Sequence, residues 1–207
     1  MICYRKGENM PKLLFATQNA HKLTEVRMIL QDTGLEIIGA KELNLPDIAE
    51  TGKTFTENAL IKAKTAYNLT GLPTLAEDAG LCITALNNEP GIYSARYAKE
   101  NGGFPAVFQV LTKRMKGIQD RNACFHSVMA LVWGKEKYKT FEGVSKGTWA
   151  MAPTGENGFG YDPMFIPAGY TQTLGELGED VKNTLSHRYR SLTQVLEYLK
   201  THPVTEE

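Results

Sequence analysis

Lys12-Leu13-Leu14-Phe15-Ala16-Thr17-Gln18-Asn19-Ala20-His21-Lys22 is the stretch whose reading decides the fold class. Lys12 to Ala16 is a short apolar run of the kind that forms a buried strand, and from His21 onward Leu23, Val26, Ile29 and Leu30 recur at helical spacing. Strand, short loop and helix in direct succession predict an α/β protein. The loop, Thr17-Gln18-Asn19-Ala20, is rich in small hydrogen-bonding side chains and delivers Lys22 into the first helical turn. A helix N-terminus carries partial positive charge, so a lysine there is unfavourable unless an anion lies against both. Thr17, Asn19 and Lys22 therefore read as a phosphate cradle; the plainer alternative is a helix cap followed by a solvated lysine.

Leu35 to Ile38 reads as a second strand, followed by a polar connection, Lys41 to Lys53, that contains Asp47, Glu50 and Gly52. Thr54-x-x-Glu57 is a capping box, and Phe55, Ala59, Ala63, Ala66 and Tyr67 give the stripe of a second helix that Gly71-Leu72-Pro73 ends. Thr74 to Ala76 then leads into Leu75-Ala76-Glu77-Asp78-Ala79-Gly80-Leu81. Adjacent carboxylates repel, so the Glu77-Asp78 pair is expected at a strand end or turn that Gly80 helps to close. There it is either solvated or offset by a cation. A right-handed crossover of the preceding helix would bring Glu50 near Asp78.

Downstream, Leu81 to Leu86 reads as a strand, Asn87 to Gly91 as a turn, and Pro105 as the opening of a helix bearing Val107, Phe108, Leu111 and Met115. Ala123 to Trp133 is apolar at nearly every position and predicts a strand covered on both faces, with His126 a hydrogen-bonded core residue. A returning strand, Tyr138 to Val144, and a shorter one around Trp149 follow. Gly155-Glu156-Asn157-Gly158-Phe159-Gly160-Tyr161-Asp162-Pro163 combines three glycines with two aromatic rings. Phe159 and Tyr161 there offer flat faces to a planar ring such as a nucleobase; the alternative is a hairpin whose aromatics plug the core. Ser186-His187-Arg188 opens the last helix, with Leu192, Val195, Leu196 and Leu199 on its apolar stripe and Lys182 close by. This is the second helix to place cations in its first turn, so both starts are expected to face one electronegative ligand.

The 207 residues carry 23 basic and 23 acidic side chains and are 42% hydrophobic, which fits a soluble globular protein read here as one domain, 1–207, with one continuous core. Balanced charge argues against a nucleic-acid polymer as partner and leaves room for a small polyanion. Three cysteines, Cys3, Cys82 and Cys124, cannot all pair and point to a reducing compartment. No apolar run reaches the length of a membrane span, and the N-terminus lacks the hydrophobic region of a secretion signal, so the expected location is the cytoplasm, with residues 1–10 a disordered extension.

Six segments in order give the chain a specific resemblance. They are Ala16 to Lys22, Glu50 to Ala59, Ala76 to Leu81, Pro90-Gly91-Ile92-Tyr93-Ser94-Ala95-Arg96-Tyr97, Gly158 to Pro163 and Ser186 to Arg188. From about Leu13 to Leu196 the chain resembles the inosine triphosphate pyrophosphatase family, also called Ham1 or non-canonical purine nucleoside triphosphate pyrophosphatases. The resemblance implies an elongated, two-lobed α/β protein around a long mixed sheet, with flanking helices and an active site in the cleft between the lobes, assembled as a homodimer. It implies Mg²⁺-dependent hydrolysis of ITP, dITP or XTP to monophosphate and pyrophosphate. By motif position it assigns Thr17, Asn19 and Lys22 to the phosphates and Glu50 and Asp78 to the metal, with Asp78 as catalytic base and Glu77 as a further metal candidate. It assigns Phe159, Gly160, Tyr161 and Asp162 to the base pocket, and Lys182, His187 and Arg188 to the purine edge. Glu77 stands where many members have Asp, Gln18 where Gly is common and Ala79 where Ser is common, so a phosphate contact at Ala79 would come from its backbone N–H. The competing readings are a Maf-type nucleotide pyrophosphatase, which lacks the two C-terminal signatures, and a nucleotide-binding regulator without catalysis.

Overall fold

The computed structural model describes residues 10–203, apart from the side chains of Glu179, Asp180 and Asn183. The expected N-terminal extension therefore lies outside the described residues except for Met10, which is exposed. Among the described residues no helix is long and apolar enough to cross a membrane. The described residues fall into two compact units, one comprising residues 10–78, 128–142 and 191–203, the other residues 79–127 and 143–190.

Strand β1 (Lys12–Phe15) pairs in parallel with β2 (Glu36–Gly39) and with the start of β3 (Thr74–Ile83). The long strands β5 (Asn122–Val132) and β6 (Tyr138–Trp149) follow β3 in the sheet order. The short strands β4 (Glu89–Pro90) and β7 (Phe165–Pro167) pair antiparallel with β3 and β6 within the second unit. The helices are α1 (Ala20–Leu30), α2 (Phe55–Thr70), α3 (Ser94–Glu100), α4 (Phe104–Arg114), α5 (Glu179–Leu185) and α6 (His187–Thr201).

In the first unit, side-chain alternation along the strands sorts the core into two layers. Leu13, Phe15, Leu75, Met129 and Leu131 pack with Val26 and Leu30 of α1 and Leu192, Val195 and Leu199 of α6. Their chain neighbours Leu14, Ala16, Ala76, Val128, Ala130 and Val132 pack with Ala59, Ala63 and Ala66 of α2. Both faces are covered, as the unbroken apolar run of β5 predicts, and the small side chains of α2 suit close packing against the sheet. The second unit has its own cluster, in which Leu81, Ile83, Phe125, Trp149 and Phe165 meet Val107, Phe108 and Leu111 of α4. Among the described residues the interior is thus three clusters in place of one continuous core.

Three further expectations need correction. Glu77 and Asp78 do not lie at a strand end or turn, because β3 runs without a break from Thr74 to Ile83. Gly80 serves the strand in a different way: a Cβ there would overlap the Gly91 carbonyl, so glycine permits close backbone approach. The returning strand is likewise single, β6 running through to Trp149. The capping box is half formed, since Thr54 accepts from Glu57 N at 3.1 Å while the Glu57 carboxylate turns to Lys53 N at 2.6 Å.

Candidate active site

The continuity of β3 explains how two adjacent carboxylates are tolerated. Alternation sends Glu77 to the face of Leu75 and Asp78 to the face of Ala76, and each meets the helix that covers its side. On the α1 side, Lys22 Nζ lies 2.9 Å from Glu77 Oε2, and the glutamate side chain is only 1% exposed. On the α2 side, Asn58 Nδ2 donates to Asp78 Oδ2 at 3.0 Å and Lys62 Nζ stands 3.8 Å from Asp78 Oδ1. Lys62 also pairs with Glu50 Oε1 at 2.6 Å, which brings Glu50 and Asp78 to one cation.

Lys22 in the first turn of α1 therefore has an acidic neighbour from the protein itself. Asn19 caps that helix, its Oδ1 accepting from His21 N at 2.9 Å and Lys22 N at 3.4 Å, while Thr17 Oγ1 accepts from Asn19 N at 3.2 Å. Gln18 turns away and donates to the Leu45 carbonyl at 3.0 Å, while Ala79 continues β3 half-buried. Burial is the main influence on Asp78 and raises its pKa to about 6; the negative charge of Glu50 adds to this, and Lys62, Asn58 and Lys22 oppose it. A carboxylate with such a pKa is ionised at neutral pH yet retains appreciable basicity. Of the residues expected at the metal, Glu50 and Asp78 are brought together, and Glu77 leaves on the opposite face. Among the described residues no three His, Cys, Asp or Glu side chains converge as a metal cage.

The second unit carries a different arrangement. Asp162 Oδ2 takes Lys182 Nζ at 2.9 Å and the backbone N–H of Phe159 at 2.8 Å. Lys182 Nζ lies 4.5 Å from the centroid of the Phe159 ring and Arg188 Cζ 5.5 Å from it, within cation–π range. Burial pushes the Asp162 pKa up, while Lys182, the Phe159 N–H and Arg188 pull it down. Gly158, at φ +77°, makes room for this pair: a Cβ there would overlap the Asp162 carboxylate. Gly160, at φ +69°, turns the chain between the two rings.

Phe159 is half-buried, but Tyr161 is placed in the core, edge-on to Phe104 at 5.1 Å, with its hydroxyl donating to the Ser94 carbonyl at 2.9 Å. Phe159 is thus held at the half-buried edge against Lys182 and Arg188, whereas Tyr161 plugs the interior. His187 is buried with its ring stacked on Phe125 at 4.8 Å, and the Ser186 hydroxyl caps α6 by accepting from Tyr189 N at 3.0 Å.

Sequence reasoning assigned no role to Asn58 or Lys62. Their signal is faint but readable: two polar residues at i, i+4 beside the alanine stripe of α2 share one helical face, which points them at the sheet.

A parallel β1-β2-β3 core sheathed by helices on both faces, with a buried acid held by an amide and a lysine, defines a mixed α/β class with an acid–cation site at its sheet. The chain belongs to the Ham1 family, whose profile matches residues 13–198. A dITP/XTP pyrophosphatase of Streptomyces coelicolor is 44% identical over 198 residues, spanning 92% of this chain and 99% of its own length. A dITP/XTP pyrophosphatase of Gluconobacter oxydans is 41% identical over 192 residues, spanning 93% and 92%. The structure of a HAM1 protein from Coxiella burnetii superposes with a TM-score of 0.87 at 41% identity, covering 92% of this chain and 99% of that one.

Proposed function

We propose that this chain hydrolyses non-canonical purine nucleoside triphosphates, of the ITP, dITP and XTP kind, to nucleoside monophosphate and pyrophosphate. The observation that carries the reading is Asp78, a buried carboxylate with pKa about 6, one oxygen fixed by Asn58 and the other toward Lys62. Similarity to dITP/XTP pyrophosphatases over more than 90% of the chain supplies the substrate class. Asp78 takes a proton from the attacking water, and Lys62 and Lys22 offer positive charge to the phosphates.

The reading extends to Mg²⁺. Glu50 and Asp78 fit a hard divalent cation, being all-oxygen donors whose negative charges reinforce each other, and one or two carboxylates plus substrate phosphates are an ordinary Mg²⁺ donor set. When bound, the ion would neutralise charge on the departing pyrophosphate. Glu77, held by Lys22 on the other face, is the weaker ligand of the three.

In the second unit Phe159 provides the stacking face, and Lys182 and Arg188 donate to the purine. A 6-oxo group accepts from such cations, whereas the 6-amino group of adenine presents donors to donors. We place the enzyme in the cytoplasm as a homodimer on the same reading. The test is release of pyrophosphate, rather than orthophosphate, from ITP with Mg²⁺, at a rate well above that from ATP. Equal rates, orthophosphate release, or tight ITP binding without turnover would overturn the reading, the last of these in favour of a binding regulator.

A further inference from the structure

Asn58 is wholly buried in the first turns of α2, with both ends of its side-chain amide occupied. Its Nδ2 donates to Asp78 Oδ2 at 3.0 Å, and its Oδ1 accepts from the backbone N–H of Gly52 at 2.8 Å. The second bond fixes the orientation of the first. A flipped amide would set its NH₂ against the Gly52 N–H and its carbonyl against the Asp78 carboxylate, losing both bonds. Gly52 is two residues from Glu50, so the same amide ties β3 to the loop that carries the second carboxylate. One turn further along α2, Lys62 faces the other oxygen, Asp78 Oδ1, and pairs with Glu50. Helix α2 thus grips Asp78 with two side chains at i, i+4: a neutral donor on one oxygen, a cation toward the other.

We infer that Asn58 is a positioning residue for Asp78, holding Oδ2 so that the carboxylate keeps a single orientation, with Oδ1 toward Lys62, and fixing the Glu50 loop against the strand. The inference rests on the proposed pyrophosphatase activity. Asn58 is buried beneath the carboxylate it serves and acts on the reaction through Asp78, so its loss lowers turnover and leaves substrate affinity in place.

Asn58→Leu removes both bonds while keeping the branch at Cγ. Asn58→Ala removes both bonds without adding volume or charge, and it decides the matter should the leucine variant fail to fold. A misplaced catalytic group costs on the order of 10²-fold in rate, and that loss is expected in kcat for pyrophosphate release from ITP, with KM within about threefold of wild type. In an Asp78→Asn background the substitutions are expected to cause almost no further loss, measured over long incubations, because residues acting as a unit are non-additive. Wild-type kcat in Asn58→Ala, a full additional loss in the Asp78→Asn background, or a rise in KM with kcat unchanged would overturn the inference. Absence of pyrophosphate release by the wild-type protein from any purine triphosphate would instead remove the functional reading itself, and the two failures are distinguishable.

Discussion

Asp78 in the first unit and Asp162 in the second are both buried aspartates facing a lysine, yet their surroundings differ in how completely they answer the charge. Asp162 has Lys182 at 2.9 Å and the Phe159 N–H at 2.8 Å on one oxygen, with the Arg188 charge also acting on it. Asp78 has one neutral donor, a lysine 3.8 Å away, and the negative charge of Glu50 beside it. Burial raises both pKa values, so the difference lies in compensation. The difference is one of geometry: Asp162 has a cation and an N–H in contact with one oxygen and is fixed by both, whereas the cation nearest Asp78 Oδ1 stands 3.8 Å away. In the reading proposed here the first unit keeps its acid reactive and the second uses its acid to orient two cations and a ring.

The largest expected effect breaks the reactive member of the comparison. Asp78→Asn should lower pyrophosphate release from ITP by roughly 10³-fold or more, the upper part of what a general base contributes. The fold should persist, because an amide oxygen at this position still accepts from Asn58 Nδ2. Activity within tenfold of wild type would remove Asp78 as the base. At Lys182 the same logic gives a cost in stability. Lys182→Met leaves Asp162 buried without its contact cation, and such broken pairs cost about 3–5 kcal/mol. Asp162→Asn in the same chain should recover much of that loss, and denaturant midpoints for the single and double variants check it. Recovery is expected to be incomplete for ITP-over-ATP preference, which depends on the cation itself.

The pKa of Asp78 gives a third test, made with chelator present so that no metal competes. The folded protein holds this proton more tightly than the unfolded chain, with a pKa of about 6 against the ordinary 3.8. Between those values it binds more protons than the unfolded state, so its contribution to stability is fully present below pH 3.8 and is lost as pH rises through about 6. The difference corresponds to roughly 3 kcal/mol for this largely buried group. Asp78→Asn should remove that part of the pH dependence and leave the variant more stable than wild type at neutral pH. An unchanged profile would mean that Asp78 titrates as an ordinary surface carboxylate.

What could be read in the sequence follows from how local each cause is. The β1-loop-α1 unit, α2 and α6 were legible because strand runs, caps and apolar stripes are set by neighbouring residues. The continuity of β3 was not, since an acidic pair followed by glycine looks like a turn until the lysines from two different helices are in place. Lys22 in a first helical turn is conspicuous in the sequence as a cation placed against the helix dipole. It also has a partner in Glu77, 55 residues downstream, that spacing alone could not supply. Asn58 and Lys62 were hidden for a related reason: their helix was plain, but which polar group faces an acid on the sheet depends on packing. In Gly158 to Pro163, glycines flanking both aromatic residues leave the direction of each ring undecided by local rules.

That last ambiguity yields the smallest and sharpest contrast between neighbouring rings. Tyr161→Phe removes only the hydroxyl that donates to the Ser94 carbonyl, inside a packed cluster with Phe104, Phe108 and Trp149. Loss of one buried neutral hydrogen bond should cost about 1 kcal/mol in stability and leave KM for ITP unchanged. Phe159→Leu should do the reverse, sparing stability while raising KM for every purine triphosphate by roughly tenfold, the scale of one lost base-stacking contact. The ring also carries Lys182 and Arg188 at cation–π range, so its removal should loosen the cations and narrow the gap between ITP and ATP. If Tyr161→Phe raised KM as much as Phe159→Leu, the division between a plug and a stacking face would fail, because a ring held edge-on in the core by Phe104 has no free face to offer a base.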